Sequence, residues 1–203
     1  MALSSCGIEY WKGATFTHTM ADSRISAWER ILEPYRGKVH RVLEVGSYEG
    51  QSALFWQNFF HAEVWCIDNW QNPASPLRHG HEVEANFDAN TRLQSIFKIK
   101  DESTIALHCL RQQKIHQPFD LIYIDGDHSP DQVMIDSCLA WRMLTSGGIM
   151  IWDDWRDYIP HGPEDIRPEW GIECFLRLKS SRLEILADTG QQLMVEKLRQ
   201  GYF

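Results

Sequence analysis

The sequence has no excess of basic residues. Its 203 residues include 20 Lys and Arg against 28 Asp and Glu, which gives a formal net charge of −8 at pH 7. A phosphate backbone or an anionic membrane needs a basic protein surface, so the charge argues against nucleic acid and membrane as partners. No apolar run approaches the roughly 20 residues of a membrane-spanning helix. The N-terminus, MALSSCGIEYWKG, lacks the basic-then-apolar order of a signal peptide.

Cysteine is sparse, and internal repeats and low-complexity tracts are missing. The five cysteines are an odd number without a Cys-x-x-Cys pair, which predicts reduced thiols in a cytoplasmic protein rather than disulfides or a zinc site. A chain of this length can bury one substantial core but not two. We therefore expect one domain over residues 1–203, with an N-terminal helical or lid segment at 1–38 and a core at 39–198.

Short apolar runs alternate with helical patterns along most of the chain. Predicted strands cover 39–45, 62–68, 95–99, 119–125 and 147–154, and predicted helices cover 22–36, 50–60, 81–93, 103–113, 130–144 and 170–179. This alternation predicts a doubly wound α/β fold, in which helices cover both faces of a parallel sheet. The last two apolar runs, 182–187 and 191–198, are separated by only three residues, which predicts an antiparallel hairpin.

A glycine-containing turn, Glu44-Val45-Gly46-Ser47-Tyr48-Glu49-Gly50, follows the first predicted strand. Ligands of doubly wound sheets bind beyond the carboxyl ends of the strands, and glycine lets a ligand approach the backbone closely. The spacing is GxxxG rather than GxGxxG, which argues against a dinucleotide oxidoreductase. Glu44 and Glu49 favour a cationic or zwitterionic ligand over a pyrophosphate. Asp68, at the end of the second strand, is either a ribose ligand or a capping residue.

Three carboxylates are expected to meet at neighbouring strand ends. Asp125 ends the fourth predicted strand, and Asp153 and Asp154 end the fifth. One helical crossover fits the interval between them, so these strands should be adjacent. Converging carboxylates repel unless a cation joins them, and oxygen ligands favour a hard ion such as Mg²⁺. The alternative is that Asp153 or Asp154 caps the following segment and binds no ion.

The motifs LEVGSYEG, CID, KDES, DLIYIDGDHS and LTSGGIMIWDDW occur in this order over roughly residues 40–198. Their sequence resembles class I S-adenosylmethionine-dependent methyltransferases, in the small branch whose fourth strand ends in IDG-D/S-H. The resemblance implies a Rossmann-like, mostly parallel seven-stranded sheet of order 3-2-1-4-5-7-6 with an antiparallel C-terminal hairpin. It also implies S-adenosylmethionine as cofactor, a small-molecule acceptor and a homodimer as the family's common assembly.

Position within these motifs implies a set of cofactor contacts. They are Glu44, Gly46, Ser47 and Gly50 in the first turn, Asp68 at the ribose, Asp101 and Ser103 near the adenine, and Asp125. The run Lys100-Asp101-Glu102-Ser103 departs from the Gly-Asp-Ser that is more common in the family, which weakens the adenine assignment.

The resemblance also implies a metal site and a base. Catechol-type and macrolide-sugar-type O-methyltransferases bind their metal through an acid after the fourth strand and an acidic or amide pair after the fifth, where Asp125, Asp153 and Asp154 fall. His128 lies where the catechol-type enzymes carry a basic residue. Asp125 and His128 are therefore the expected catalytic residues, with the imidazole accepting the acceptor's proton. Alternatively, His128 only caps the helix that begins near Ser129 and Pro130.

The predicted function is a divalent-metal-assisted O-methyltransferase that acts on a small hydroxylated molecule, either an aromatic diol or a sugar. Two alternatives stay open, a metal-free O- or N-methyltransferase and a non-catalytic module that binds S-adenosylmethionine. The acceptor pocket is expected to be shaped by the long loops at 70–81 and 155–171. Residues 1–21 of the N-terminal segment, which include His18, are expected to contribute to it as well. Four tryptophans near strand ends either fill the core or line this pocket: Trp70, Trp152, Trp155 and Trp170.

Overall fold

A computed structural model describes residues 9–19, 21–71, 80–113, 117–156 and 167–199. Within these ranges the strands are β1 (Arg41–Val45), β2 (Glu63–Asp68), β3 (Ile96–Lys100), β4 (Phe119–Ile124), β5 (Leu144–Trp152), β6 (Leu183–Asp188) and β7 (Leu193–Lys197). The α-helices are α1 (Ile25–Leu32), α2 (Gln51–Phe60), α3 (Gly80–Thr91), α4 (Ser103–Gln112), α5 (Pro130–Trp141) and α6 (Pro168–Lys179). None of the described helices is long and apolar enough to cross a membrane.

The described strands form one seven-stranded sheet of order β3-β2-β1-β4-β5-β7-β6. The first five strands pair in parallel, and β7 pairs antiparallel with both β5 and β6. The predicted doubly wound topology and its terminal hairpin are therefore confirmed. Because β1, β2, β4 and β5 run in the same direction, their carboxyl ends share one edge of the sheet.

Two apolar layers cover the faces of the sheet. On one face Trp28 of α1 packs with Phe55 and Trp56 of α2, and on the other Trp141 of α5 packs with Phe175 of α6. All five residues of β1 are buried, since this strand lies between β2 and β4 and beneath both layers. The core thus fixes the central strands whose ends carry the candidate site.

Several element boundaries differ from the sequence prediction, and those of α1 and β5 lie beside the site. The first helix was predicted over 22–36, but α1 begins at Ile25 after a 3₁₀ turn, and Arg24 occupies the N-cap position. A second 3₁₀ turn replaces its last part, because Pro34 has no N–H for helical hydrogen bonding. β5 ends at Trp152, so Asp153 and Asp154 follow the strand rather than end it.

The tryptophans at the strand ends mostly fill the core. Trp70, Trp152 and Trp155 are buried, and Trp70 and Trp152 pack against phenylalanine rings. Trp170 is 41% exposed. The larger parts of the two predicted pocket loops, residues 72–79 and 157–166, lie outside the described residues.

Candidate active site at the carboxyl edge of the sheet

A cavity of about 310 Å³ lies at the carboxyl ends of β1 and β4. Three groups of residues line it: His18, Ala21 and Arg24 from the N-terminal segment; Gly46 to Glu49, Gln51 and Ser52 from the turn after β1 and the start of α2; and Tyr123, Asp125, His128, Asp153 and Asp154 from the ends of β4 and β5. Its volume is at the small end of the range for ligand sites. The cavity joins the predicted cofactor turn to the predicted carboxylate cluster.

Gly46 is required by the packing of two backbones. Its φ is +86°, and a Cβ added there would lie 1.9 Å from the carbonyl oxygen of Asp125. The sequence prediction gave the space above Gly46 to the ligand, whereas the structure gives it to the backbone at the end of β4. This contact brings the turn against Asp125 and so helps to form the cavity. Gly50 has a different neighbour, since an added Cβ would lie 3.0 Å from Thr91 Cγ2 at the end of α3.

Asp68 holds the turn through three backbone hydrogen bonds. Its Oδ2 accepts from the N–H groups of Ser47 (2.9 Å) and Tyr48 (2.8 Å), and its Oδ1 accepts from that of Trp70 (2.7 Å). A carboxylate has about four acceptor positions, so one is left for a further donor. Asp68 is half-buried and is not among the residues that line the cavity. Its predicted ribose contact stays a prediction.

Glu44 lies beneath the turn and does not line the cavity. Its side chain is fully buried, and Oε2 accepts a hydrogen bond from Trp56 Nε1 at 2.9 Å. Burial raises the pKa of Glu44 to about 8, which favours the protonated form at neutral pH. The expected direct contact between Glu44 and the cofactor is therefore not supported by its position.

Glu49 binds the N-terminal segment rather than supplying an unpaired charge. Its carboxylate accepts hydrogen bonds from Thr17 N (2.7 Å), Thr17 Oγ1 (2.8 Å) and Asn86 Nδ2 (2.8 Å). Asn90 of α3 also binds this segment, donating to the carbonyl oxygens of Thr15 and Glu49. These contacts bring His18 to the cavity wall, which agrees with the expectation that the N-terminal segment covers the pocket.

The two residues predicted near the adenine lie away from the cavity lining. Asp101 is exposed, and its backbone N–H donates to the carbonyl oxygen of Asp68 at 3.2 Å. Ser103 Oγ donates to Asp136 of α5 at 2.8 Å and accepts from Gln132 at 3.0 Å. Asp101 therefore shares the sheet edge with Asp68, whereas Ser103 connects α4 to α5.

Asp125, His128 and Asp154 form one cluster. One potential ligand atom from each lies within 4.8 Å of the others. His128 Nε2 is 3.2 Å from Asp154 Oδ2 and 3.9 Å from Asp125 Oδ1. The N-cap of α5 is Ser129, so the alternative of a capping His128 is not supported. Asp154 has a φ of +53°, a conformation that costs energy for a residue other than glycine and often marks functional sites.

Asp153 was predicted to share this cluster, but it faces other partners. Its Oδ1 accepts hydrogen bonds from Arg24 Nε and Gln192 Nε2, both at 2.7 Å. Gln192 in turn accepts a hydrogen bond from Trp28 Nε1 at 2.6 Å. The sequence prediction missed Arg24 because it lies 129 residues before Asp153, and no local pattern relates the two.

Tyr123 is a second residue that the sequence prediction missed. Its buried hydroxyl donates to Asp125 Oδ2 at 3.1 Å and lines the cavity. The spacing of Tyr123 and Asp125 could have predicted this, since residues two apart on a strand point to the same face. Tyr123 and Asp125 therefore reach the site together.

Asp125 and His128 both have raised pKa values. Burial and the nearby carboxylate of Asp153 raise the pKa of Asp125 above its usual range. Burial alone would lower the pKa of His128, but the carboxylates of Asp125 and Asp154 outweigh burial, so its pKa is raised. An imidazole between two carboxylates is equipped to accept a proton, and the same carboxylates are suitable ligands for a hard cation.

A family model described as a methyltransferase domain matches residues 43–155, which include the turn, Asp68 and the complete carboxylate cluster. The match spans more than half of the chain. The chain belongs to the methyltransferase domain family. In sequence, this family member is 30% identical over 120 residues to the O-methyltransferase ankF of Aspergillus thermomutatus, across 58% of this chain and 46% of ankF.

Solved structures of methyltransferases share the fold of this family member. The MycE methyltransferase of the mycinamycin biosynthetic pathway, in complex with Mg and SAH, matches with a TM-score of 0.62 and 20% identity over 97% of this chain and 55% of MycE. The O-methyltransferase of Bacillus cereus, in complex with SAH, matches with a TM-score of 0.66 and 16% identity over 91% of this chain and 84% of its own. The chain spans about half the length of ankF and MycE.

Proposed function

We propose that the chain is an S-adenosylmethionine-dependent O-methyltransferase that methylates a hydroxyl group of a small molecule with the assistance of a divalent ion. The chain belongs to the methyltransferase domain family, and one observation about its cavity supports this proposal. The glycine turn and the cluster of Asp125, His128 and Asp154 open into the same cavity. A cofactor site and a deprotonation site therefore adjoin, as methyl transfer to a hydroxyl requires.

The turn after β1 and the cavity wall beside it fit the proposed cofactor. The Ser47 hydroxyl is buried without a hydrogen-bond partner among the described residues, and Asp68 retains an acceptor position beside the turn. The carboxylates of the cavity wall suit a positively charged sulfonium and an α-amino group. When bound, S-adenosylmethionine supplies an electrophilic methyl group. Ser47, Gly46 and Asp68 would hold the cofactor on the turn side.

The cluster also fits a divalent ion. Asp125 and Asp154 supply oxygen atoms of the kind that Mg²⁺ prefers, and Asp153, the third predicted ligand, lies next to Asp154. A divalent ion in such a site lowers the pKa of a nearby hydroxyl group. MycE, which is described in complex with Mg, SAH and mycinamycin VI, supports the proposal of an ion and of a small hydroxylated acceptor.

The chain's own residues perform the proton transfer and the positioning. His128 lines the cavity, and its imidazole is the base that would accept the acceptor's hydroxyl proton. Asp154, whose Oδ2 lies 3.2 Å from His128 Nε2, would stabilise the resulting imidazolium. Tyr123 orients the Asp125 carboxylate by its hydrogen bond. The wall of His18 and Ala21 limits the space for water and fixes the acceptor opposite the methyl group.

The proposal is tested by measuring SAH release with a panel of catechols and of sugars with adjacent hydroxyl groups. We expect SAH release with at least one acceptor class, its loss in EDTA and its recovery with Mg²⁺. His128→Ala should lower the rate by about 10²–10⁴-fold, as expected for a lost general base. Asp88→Asn, a change of an exposed carboxylate on α3, is the matched control and should leave the rate unchanged.

The remaining outcomes separate the alternative functions. Activity that persists in EDTA and falls in His128→Ala would indicate a metal-free methyltransferase. Saturable SAH binding without turnover across both acceptor classes would instead support a non-catalytic binding module.

A further inference from the structure

Arg24 connects the N-terminal segment to the carboxylates after β5. Its Nε donates to Asp153 Oδ1 at 2.7 Å, and its guanidinium also lies 3.6 Å from Asp154 Oδ1. The side chains of Arg24 and Asp153 are 14% and 7% exposed, so the ion pair is largely shielded from water. Shielding strengthens an ion pair relative to a surface pair.

The position of Arg24 is fixed by the core. Ile25 and Trp28, which follow it on α1, are 3% and 0% exposed. Trp28 Nε1 donates to Gln192 Oε1, and Gln192 Nε2 donates to the same Asp153 oxygen that Arg24 binds. Asp153 Oδ1 therefore accepts hydrogen bonds from two side chains, Arg24 and Gln192, and both are held in place by the buried core. Turning this carboxylate toward His128 would break both hydrogen bonds and separate the guanidinium from its nearest carboxylate.

The charges of the site also separate Asp153 from Asp125 and Asp154. Asp125, Asp153 and Asp154 are three carboxylates, and Arg24 is a permanent cation that makes its shorter contact with Asp153, at 2.7 Å against 3.6 Å to Asp154. The two carboxylates that remain are those that approach His128. Two negative charges match one divalent ion.

We propose that Arg24 is a positioning residue that keeps Asp153 out of the ion's ligand set, so that Asp125 and Asp154 are the carboxylate ligands. This inference rests on the ion site of the proposed function. In this arrangement Asp153 and Arg24 neutralise each other and fix the turn that presents Asp154. The N-terminal segment thereby determines which of the two consecutive aspartates serves the site.

The test is a Mn²⁺ titration, followed by electron paramagnetic resonance of the free ion, on the wild-type chain, Arg24→Gln and Arg24→Gln/Asp153→Asn. Arg24→Gln should bind Mn²⁺ about tenfold or more tightly, since a repelling charge is removed and Asp153 is released. The double variant removes the pair without changing the net charge and should restore the wild-type affinity within about threefold. Arg30→Gln, which removes a charge from the exposed face of α1, is the matched control and should bind as the wild type does.

A double variant that binds Mn²⁺ about tenfold more weakly than the wild type would identify Asp153 as a ligand and overturn the inference. An unchanged affinity in Arg24→Gln would overturn it as well. Hydrogen exchange of the wild-type chain gives a test without substitutions. Amides of residues 24–28 should keep their protection when Mn²⁺ is saturating, whereas at least fivefold faster exchange would show that the pair breaks.

A separate titration with SAH distinguishes this inference from the proposed function. If SAH binds and Mn²⁺ binds to none of these proteins, the ion site and the role of Arg24 both fail, and the methyltransferase proposal keeps its metal-free form. If Mn²⁺ binds and only the pattern among the variants fails, the ion site stands and the role of Arg24 is wrong.

Discussion

At the scale of single residues, the sequence predicted positions better than contacts. It placed Gly46, Asp68 and Asp125 at the correct edge of the sheet, because apolar runs mark where strands end. It did not predict that Gly46 faces the Asp125 carbonyl or that Asp68 binds three backbone N–H groups. Such contacts depend on how two strand ends pack together, which a linear pattern does not contain.

Gly46 allows a prediction with an internal control. Gly46 and Gly147 have nearly the same φ, +86° and +81°, but an added Cβ meets nothing within 4 Å at Gly147. Alanine at Gly147 should cost about 1–2 kcal/mol of unfolding free energy, through its left-handed backbone alone. Alanine at Gly46 should cost about 1–3 kcal/mol more because of the clash. Urea denaturation of both variants measures the difference, and equal losses would contradict the packing described here.

Asp136 gives a prediction about pH. This carboxylate of α5 is 1% exposed, its Oδ2 has no partner among the described residues, and burial raises its pKa to about 6. The folded chain therefore holds this proton more tightly than the unfolded chain does, and stability falls as the pH rises from about 4 through 6.

Asp136→Asn removes this titration. We expect it to raise the free energy of unfolding by about 1–3 kcal/mol at pH 8 relative to the wild type, with the difference disappearing near pH 4. Asp131→Asn, an exposed change on the same helix, is the control and should not raise the free energy of unfolding at pH 8. Urea denaturation at the two pH values provides the measurement, and a loss of stability at pH 8 would refute the assignment.

At the scale of elements, the N-terminal segment is the part of the site that the sequence predicted least completely. Residues 1–21, which include His18, were expected to shape the pocket, but the attachment of the segment depends on pairs distant in sequence, such as Thr17 with Glu49 and Arg24 with Asp153. Helix and strand periodicities act over neighbouring residues and carry no information about such pairs.

Glu49 should control the attachment of this segment. In Glu49→Gln the amide places a donor where the carboxylate accepts hydrogen bonds from both Thr17 and Asn86. We expect amide hydrogen exchange of residues 15–19 to accelerate by about tenfold, with α5 unaffected. Glu82→Gln, at an exposed position of α3, is the control. Unchanged exchange at 15–19 in Glu49→Gln would show that other contacts hold the segment.

At the scale of the whole molecule, the sequence pattern predicted the directions of the strands, and the family resemblance implied their order. Buried strands separated by helices require right-handed parallel crossovers, and a three-residue connection requires an antiparallel pair. The resemblance implied the order 3-2-1-4-5-7-6, which the structure contains. The division of the carboxylates between His128 and Arg24 could not be predicted, since both arrangements are compatible with the same topology.

The central claim is that the cavity beside the Gly46 turn binds S-adenosylmethionine, and calorimetric titration with SAH tests it most directly. The wild-type chain should bind one equivalent. Asp68→Ala should weaken binding by about tenfold to a hundredfold, which corresponds to about 1–3 kcal/mol for a lost acceptor. Asp88→Ala, the exposed control on α3, should bind as the wild type does. Absence of saturable binding by the wild-type chain would contradict the account, as would equal affinity in Asp68→Ala.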